Sequence, residues 1–492
     1  MQYVYRFEAE YPGNIMKTYP ILIGGVEKQT AEIAHVRFPY TGELYADVCQ
    51  ASTNDLKAAV TAACRGFEQT RLLSSHERAE ILFRLAGEIE KRTEELTEIL
   101  VMEGGKTRKF AASEVARATI TVRTSAEEAK RIYGEVIPLD TTGDTKGRTG
   151  FLQRFPLGPV AGIVPFNFPL NLACHKLAPA IAAGNSIILK PSSATPVSSL
   201  VLGEMALAAG LPPDAISVVP CASARAEQLA RDPRVAYLSF TGSCTVGWHL
   251  REIAGRTKVG LELGGNAAVI VHEDANLDYA AGRIATGGFI NAGQVCISVQ
   301  RVLIHREVYD IMLEKILAAV KDLRVGDPRD PATDVGPMID RLKSEDAYRK
   351  VQEAVKQGAR ILTGGTLEEN MFAPTVLVDT TPAMRVNREE VFAPVISVIP
   401  YDDFPEAITI ANTGEYGLQV GIFTQNLNRA MRAFGQMDVG GVIVNDIPTF
   451  RSDSMPYGGA KGSGLGREGP RFAIEEMTAL RLMVINRDGG TE

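Results

Sequence analysis

The sequence lacks the features that mark membrane, secreted and nucleic-acid-binding proteins. Its 492 residues hold no apolar run as long as a membrane-spanning helix, and the N-terminus has no basic stretch followed by an apolar core. Neither a membrane partner nor a secretory leader is therefore expected. Lys and Arg number 52 against 59 Asp and Glu, and this net charge of −7 argues against a nucleic-acid surface. A cytoplasmic enzyme is the default expectation.

Cysteine is scarce and unclustered. The six cysteines form no CxxC pair and no cluster with histidine; they are Cys49, Cys64, Cys174, Cys221, Cys244 and Cys296. Zinc ligands and disulfide frameworks have characteristic spacings that are missing here, so we expect neither a metal nor a disulfide. In a reducing compartment most of these thiols would behave as small buried apolar groups.

The first third of the chain has helical apolar spacing. One stripe covers residues 56–67, with Thr53 or Asn54 as its cap, and a second covers residues 82–100 after a Ser-Ser pair. Both patterns predict amphipathic helices.

From about residue 159, short apolar runs alternate with helical stretches. Five buried strands are expected, at residues 160–165, 186–190, 216–220, 235–240 and 259–263. Two of the intervening helices, at 170–183 and 197–209, are closed by Gly184 and Gly210, where a helix C-cap favours glycine. This alternation predicts an α/β fold with a parallel, doubly wound sheet.

A second α/β region begins near residue 270. It has a predicted helix at 309–323 and predicted strands at 395–399 and 440–445. The tail after about residue 475 alternates like an edge strand that could pair with another subunit.

Polar residues follow three of the predicted parallel strands, where such sheets bind ligands. Asn167 lies in PFNFP, Lys190 in LKPSS, and Gly242 with Gly247 in FTGSCTVG. Each has an ordinary interpretation: a turn asparagine, a surface lysine and a lone glycine pair. Asn167 could also be an amide hydrogen-bond donor at the mouth of the sheet. Lys190 and the glycine pair could bind a nucleotide at helix N-termini.

Two further residues are candidates for chemistry. Glu262 lies in an apolar strand, and is either a salt-bridged core residue or a general base with a raised pKa; Gly264 and Gly265 beside it indicate close backbone approach. Cys296 lies in a small polar turn, NAGQVCISVQR, and is either a packing residue or a reachable nucleophile. No histidine partner is evident, which argues against a papain-like pair.

These motifs, in their order along the chain, resemble those of the aldehyde dehydrogenase superfamily. The resemblance rests on PFNFP, LKPSS, FTGS, LELGGN, GQVC, EEVFAPV and PYGGAKGSGLG, and is closest to lactaldehyde, non-phosphorylating glyceraldehyde-3-phosphate and phosphonoacetaldehyde dehydrogenases. It implies a Rossmann-like cofactor domain (1–138 and 159–268), an α/β catalytic domain (269–474) and a small β oligomerisation arm (139–158 and 475–492). A homodimer or homotetramer is then expected.

The resemblance also implies residue roles. Cys296 would attack the aldehyde, Asn167 and the Cys296 backbone N–H would stabilise the oxyanion, and Glu262 would activate water to release the acid from a thioester. The implied contacts of NAD or NADP are Pro165, Phe166, Lys190, Ser192, Ser193, Phe240, Gly242, Ser243, Gly247, Leu263, Glu390 and Phe392. Ser193 stands where NAD-preferring members often carry glutamate, so NADP should at least be tolerated.

The implied substrate tunnel is less aromatic than that of family members that oxidise apolar aldehydes. Its candidate lining residues are Arg108, Arg117, Asn171, His175, Val295, Ile297, Phe450 and Arg451. Arginine suits carboxylate or phosphate, although these arginines could equally form structural salt bridges. The predicted function is NAD(P)-dependent oxidation of a small polar or anionic aldehyde to the acid.

Two alternatives remain at the sequence level. A CoA-acylating or acyl-phosphate-forming enzyme would pass the thioester to another nucleophile, but the presence of Glu262 favours water. A non-catalytic cofactor-binding structural protein is the other, and the intact Cys296, Glu262 and Asn167 weigh against it.

Overall fold

The computed structural model describes residues 17–487, which form helices and strands in alternation. The strands are β1 (Thr18–Tyr19), β2 (Ile21–Ile23), β3 (Val26–Lys28), β4 (Ile33–Arg37), β5 (Leu44–Cys49), β6 (Glu135–Pro138), β7 (Arg148–Pro156), β8 (Val160–Ile163), β9 (Ile187–Lys190), β10 (Ile216–Val218), β11 (Tyr237–Thr241), β12 (Lys258–Glu262), β13 (Ala267–Val271), β14 (Val299–His305), β15 (Arg360–Thr363), β16 (Leu367–Glu368), β17 (Met371–Phe372), β18 (Thr375–Val378), β19 (Val395–Tyr401), β20 (Tyr416–Gly417), β21 (Gln419–Phe423), β22 (Gly441–Val444), β23 (Ala460–Lys461), β24 (Gly464–Leu465) and β25 (Thr478–Asn486). The α-helices are α1 (Thr53–Thr70), α2 (Ser75–Lys91), α3 (Thr93–Gly104), α4 (Arg108–Ala129), α5 (Pro169–Ala183), α6 (Val197–Ala208), α7 (Ser223–Arg231), α8 (Cys244–Ile253), α9 (Leu277–Phe289), α10 (Tyr309–Lys321), α11 (Arg341–Lys356), α12 (Arg385–Arg388), α13 (Phe404–Asn412), α14 (Leu427–Gln436) and α15 (Pro470–Glu476).

The N-terminal third differs from its prediction in three details. Strands β1–β5 precede the helices, so this region is not helical throughout. Helix α1 is capped by Ser52, whose hydroxyl accepts the N–H of Asp55 in a capping box, and not by Thr53 or Asn54. The second predicted stripe divides at Arg92 into α2 and α3.

The first large sheet has the order β24-β12-β11-β8-β9-β10-β2-β3. Its five central strands, β8 to β12, are parallel to their neighbours in this group and correspond to the five predicted strands. Helix α5 ends at Gly184, whose φ of 89° is the left-handed conformation expected of a C-cap glycine. The predicted doubly wound sheet is confirmed, and its carboxyl edge carries the motifs noted in the sequence.

The second large sheet has the order β15-β18-β19-β14-β13-β21-β22 and is parallel except at β15. The predicted strands at 395–399 and 440–445 are present as β19 and β22, and the helix predicted at 309–323 is α10. A separate apolar core lies between this sheet and its helices, so the chain has two α/β units.

A smaller antiparallel sheet joins β6, β7 and β25. The tail strand β25 pairs along its whole length with β7, from Thr478 opposite Pro156 to Asn486 opposite Arg148. Among the helices formed by residues 17–487, none combines the length and the apolar character that crossing a bilayer requires.

Candidate active site

A cavity of about 740 Å³ lies between the carboxyl edge of the first sheet and the second α/β unit. The three candidate catalytic residues, Cys296, Glu262 and Asn167, all line it. Most of the other predicted site residues line it too: Pro165, Phe166, Lys190, Ser192, Ser193, Phe240, Gly242, Ser243, Leu263, Glu390, Phe392, Arg117, Asn171, Val295, Ile297 and Arg451. Residues far apart in the sequence therefore meet around one space.

The turn that presents Cys296 has an unusual backbone. Asn291, Ala292 and Gly293 all have φ between 51° and 69°, a left-handed region that costs energy for the two residues with a Cβ. The Cys296 carbonyl lies so close to Gly265 that a Cβ there would approach within 2.2 Å. The close backbone approach predicted at this glycine is confirmed.

The Cys296 thiol is held in an apolar setting at the cavity wall. Its Sγ lies 2.9 Å from the Tyr457 hydroxyl, while Val295 and Ile297 pack nearby. Burial raises the pKa of the Cys296 thiol to about 11, against the opposing effects of Tyr457 and Arg451. The sulfur therefore requires help to reach its nucleophilic, ionised form.

Asn167 is fixed through its backbone by a buried ion pair. Lys106 Nζ donates to the Asn167 carbonyl at 2.7 Å and forms a salt bridge with Glu114. The Asn167 side-chain amide donates to the Gln294 carbonyl at 3.0 Å, two residues before Cys296. The amide is thus placed beside the thiol loop, where an N–H donor can meet an oxygen at the cavity wall.

Glu262 ends β12 as a buried carboxyl group. Its Oε2 has no hydrogen-bond partner among residues 17–487. Burial, followed by the negative charge of Glu468, raises the pKa of Glu262 well above its usual range, although Arg451 and Lys176 act against this shift. A carboxyl group with a raised pKa and a free oxygen suits proton transfer near neutral pH.

Glu468 is the charged partner in this arrangement. Burial alone would raise its pKa, but the adjacent cations Lys176 and Arg451 outweigh burial and keep the pKa of Glu468 low. Its carboxylate contacts Lys176 at 3.4 Å and Arg451 at 3.0 Å. Two neighbouring carboxyl groups therefore have opposite tendencies, one to stay protonated and one to stay ionised.

The far end of the cavity carries groups that fit a dinucleotide. Lys190 is buried and has no hydrogen-bond or ion-pair partner among the described residues, so its ammonium group is available to a ligand. Gly242 and Ser243 precede α8, whose N-terminal N–H groups suit a pyrophosphate. Glu390 accepts the N–H of Gly265 at 2.9 Å and would hold ribose hydroxyls.

Both predicted cavity arginines already have acidic partners. Arg117 forms a bidentate pair with Asp453 at 2.9 and 2.8 Å, and Arg451 pairs with Glu468. Each retains N–H groups outside these bonds, and Arg451 Nε is buried without a hydrogen-bond partner among the described residues. The salt-bridge interpretation is therefore correct for both, without excluding contact with an anionic ligand.

Four predicted site residues do not line the cavity. Arg108 lies on the outer surface and pairs with Glu94 and Glu98. His175 is buried and forms a hydrogen bond with Asp453. Phe450 is exposed, and Gly247 packs against Leu263. These four residues lie close in sequence to residues of the cavity but are not part of its lining.

A histidine cluster lies outside the cavity, at the ends of β13 and β14. His272, Glu273 and His305 are close enough to be considered as metal ligands. The two imidazole rings are stacked at 4.7 Å and only 14° from parallel, and His272 Nδ1 accepts the N–H of Glu273. In-plane lone pairs of parallel rings do not converge on one ion, which disfavours a metal here.

The comparisons with known proteins agree with this geometry. The model of the aldehyde dehydrogenase family matches residues 26–483. The chain belongs to the aldehyde dehydrogenase family. The α/β fold, the family, the enzyme class and the NAD(P) cofactor class predicted from the sequence are confirmed.

Similar proteins extend over almost the whole chain. The 3-sulfolactaldehyde dehydrogenase of Priestia aryabhattai is 44% identical over 472 residues, which cover 96% of this chain and 98% of that protein. The structure of aldehyde dehydrogenase 21 from Physcomitrella patens, in complex with the reaction product succinate, has a TM-score of 0.95 and 41% identity, with 97% and 100% coverage. Glyceraldehyde-3-phosphate dehydrogenase from Methanocaldococcus jannaschii, complexed with NADP, has a TM-score of 0.90 and 37% identity, with 93% and 100% coverage.

Several cavity residues of this aldehyde dehydrogenase were missed by the sequence analysis. Lys106, Glu114, Tyr457 and Glu468 line the cavity, and Lys176 and Asp453 lie behind it as ion-pair partners of the lining residues Glu468 and Arg117. Lys176 gives a signal that could have been used, because it is the lone lysine in the apolar helix α5 and is fully buried. Tyr457 and Glu468 lie in a glycine-rich segment that has no periodic pattern to assign them.

Proposed function

We propose that this enzyme oxidises a small polar or anionic aldehyde to the carboxylic acid, with NAD or NADP as the oxidant. The supporting observation is that a thiol, a side-chain amide and a buried carboxyl group share one cavity with groups that fit a dinucleotide. The family supports the same reaction class. Water, rather than CoA or phosphate, is the proposed acceptor because Glu262 has a free oxygen on this cavity.

Each candidate catalytic residue has a distinct role in this proposal. Cys296 Sγ loses its proton and attacks the carbonyl carbon, so that a C–S bond forms and the π electrons move to oxygen. Asn167 Nδ2 and the Cys296 N–H donate to that oxygen, and one such donor contributes about 3–4 kcal/mol. When bound, the cofactor supplies the hydride acceptor. Glu262 then removes a proton from the water that hydrolyses the thioester on Cys296.

The cofactor proposal depends on Lys190 and Ser193. Ser193 lines the cavity beside the unpaired Lys190 and brings no carboxylate that would repel a 2′-phosphate. We expect turnover with NADP as well as NAD, measured as the absorbance of the reduced nicotinamide. A preference for NAD of more than about a hundredfold in kcat/KM, equivalent to about 2.7 kcal/mol, would contradict it.

The substrate proposal depends on the free N–H groups of Arg117 and Arg451. Both guanidinium groups line the cavity and keep N–H edges outside their salt bridges. We expect higher kcat/KM for short aldehydes that carry carboxylate, phosphate or hydroxyl groups than for hexanal. Faster oxidation of hexanal would contradict a polar tunnel.

Replacement of Cys296 tests the reaction itself. Cys296→Ala should abolish aldehyde oxidation while NAD(P) binding, followed by fluorescence, stays within about twofold because the nucleotide groups are untouched. Cys64→Ala removes a thiol on α1 that does not line the cavity and serves as the control. Near wild-type turnover in the first variant would exclude Cys296 as nucleophile, and a product that requires CoA or phosphate would favour the acylating alternative.

The division into domains and the assembly are also proposals. The cofactor domain would comprise residues 1–138 and 159–268, the catalytic domain 269–474, and the arm 139–158 with 475–492. The sheet of β6, β7 and β25 supports an arm, although β6 (Glu135–Pro138) lies entirely before residue 139 and so outside the proposed bounds. We infer a cytoplasmic homodimer or homotetramer.

A further inference from the structure

Tyr457 contacts the candidate nucleophile directly. Its hydroxyl lies 2.9 Å from Cys296 Sγ, and no other hydrogen bond of that sulfur is present among the described residues. Tyr457 is also almost completely buried, at 3% exposure. A buried phenol normally needs a hydrogen-bond partner, and here the sulfur is the partner within reach.

The position of Tyr457 is fixed by its own neighbours. Its backbone N–H donates to the Glu468 carbonyl at 3.0 Å, and the Glu468 N–H donates back at 2.6 Å. The Glu468 carboxylate holds Arg451, whose guanidinium carbon lies 3.8 Å from the centre of the Tyr457 ring. This closed set of contacts restrains the phenol from the backbone and from the ring face.

The chemistry of the pair favours the phenol as donor. A neutral thiol is a weak acceptor, whereas a thiolate is a charged one, so an O–H···S contact strengthens when the sulfur ionises. The surrounding side chains, Val295, Ile297 and Leu418, are apolar and offer the thiolate no competing donor. The cation over the ring withdraws electron density and makes the hydroxyl a better donor.

We propose that Tyr457 is a catalytic residue whose hydroxyl donates a hydrogen bond to Cys296 Sγ and stabilises the attacking thiolate. The Cys296 proton leaves to water before attack, and Tyr457 keeps its own proton throughout. This role rests on the proposed function of Cys296 as nucleophile.

The other charged groups that face the sulfur have mixed effects. Arg451 favours the thiolate, whereas Glu390 and Glu262 oppose it. Burial opposes it most strongly and raises the pKa of the thiol. Among the described residues, the Tyr457 hydroxyl is therefore the sole direct hydrogen-bond donor to the sulfur. Its hydrogen bond offsets part of the effect of burial, which disfavours the thiolate.

The test is the pH dependence of Cys296 alkylation in Tyr457→Phe. Iodoacetamide is applied to the enzyme without cofactor, and the rate of Cys296→Ala is subtracted to remove the other five cysteines. We expect the midpoint to move to higher pH and the rate near neutral pH to fall about tenfold, as expected for one charge-assisted hydrogen bond. An unchanged or faster rate would overturn the proposal, because a thiol that donates to Tyr457 would ionise more readily without it.

Tyr401→Phe is the matched control. It removes a buried phenol hydroxyl that donates to the Val271 carbonyl at 3.3 Å, away from the cavity, and should leave the alkylation profile unchanged. Melting temperatures establish that both variants are folded.

If Tyr457→Phe does not fold, the proposal can still be tested by infrared spectroscopy on enzyme that retains Tyr457. The infrared S–H stretching band of Cys296 is obtained by subtracting the spectrum of Cys296→Ala from that of the wild type. A band at the frequency of an S–H group that donates no hydrogen bond supports the proposal. A band shifted by S–H donation overturns it. These results are distinct from failure of the proposed function, which would appear as retained turnover in Cys296→Ala.

Discussion

At the scale of single residues, the site works by giving similar groups different surroundings. Glu262 and Glu468 are neighbouring buried carboxyl groups, yet among residues 17–487 only Glu468 of the two forms salt bridges, with Lys176 and Arg451. The cations stabilise charge on Glu468, and that charge discourages ionisation of Glu262. One carboxyl group is thus reserved for structure while the other can exchange a proton.

This difference predicts the pH dependence of turnover. Burial and Glu468 raise the pKa of Glu262, so the fraction of its basic carboxylate grows as pH rises through that raised value. We expect thioester hydrolysis to accelerate in the same direction. Glu262→Gln should lower steady-state kcat roughly 100-fold or more and flatten this dependence, because the amide cannot accept the water proton.

Rapid mixing separates the two half-reactions of Glu262→Gln. A burst of reduced nicotinamide should remain, and mass spectrometry should detect the acyl group on Cys296. Glu204→Gln, which alters a half-buried carboxyl group outside the cavity, is the control. A wild-type pH profile in Glu262→Gln would refute the general-base role.

At the scale of elements, α4 holds the start of α5 and the loop before it. Helix α5 has no side-chain cap of its own, because Phe168 occupies the N-cap position. Glu114 from α4 supplies the missing acceptor and takes the N–H groups of Leu170 at 3.0 Å and Asn171 at 3.1 Å. The acidic group also suits the positive end of the helix dipole.

Breaking the buried ion pair between Lys106 and Glu114 should affect both stability and catalysis. Glu114→Ala leaves Lys106 buried without its partner, which costs about 3 kcal/mol or more and should lower the melting temperature. The double variant Lys106→Met with Glu114→Leu leaves no unpaired charge and should recover much of the stability. Its kcat should stay low, since neither α5 nor the Asn167 carbonyl is held. Full recovery of kcat would show that the loop does not depend on the pair.

At the scale of the whole molecule, the sheet of β6, β7 and β25 is exposed to an unusual degree. Leu480, Leu482, Met483, Val484 and Ile485 are each between 43% and 58% exposed. Successive residues of a strand point to opposite faces, so both faces of β25 present apolar side chains. Exposed apolar surface of this kind marks a protein–protein interface and supports the proposed homo-oligomer.

Charged substitutions on this strand should therefore dissociate the assembly. Met483→Glu combined with Ile485→Glu places two charges on one face of β25, and we expect a smaller species by sedimentation velocity. Val26→Glu, at a 67% exposed position on β3, is the control and should not change the mass. If the doubly substituted enzyme keeps the wild-type mass, this face is not the interface.

The sequence by itself determined the class of fold and most of the site. Apolar runs and glycine caps located the parallel strands and α5, because those patterns depend on local periodicity and local backbone conformation. The motifs at strand ends located Asn167, Lys190 and Glu262, since the carboxyl ends of parallel strands share one edge. The cap of α1 and the division at Arg92 were missed because neighbouring polar residues compete for each helix end.

Tertiary structure alone decided how the site residues are paired. Helical spacing could not distinguish Arg117, which faces the cavity, from Arg108, which turns to Glu94 and Glu98 on the surface. Tyr457 and Glu468 meet the thiol and Glu262 only because a glycine-rich segment without periodicity folds across the cavity. Contacts between residues distant in the chain depend on how sheets and helices pack, and no local pattern in the sequence records that packing.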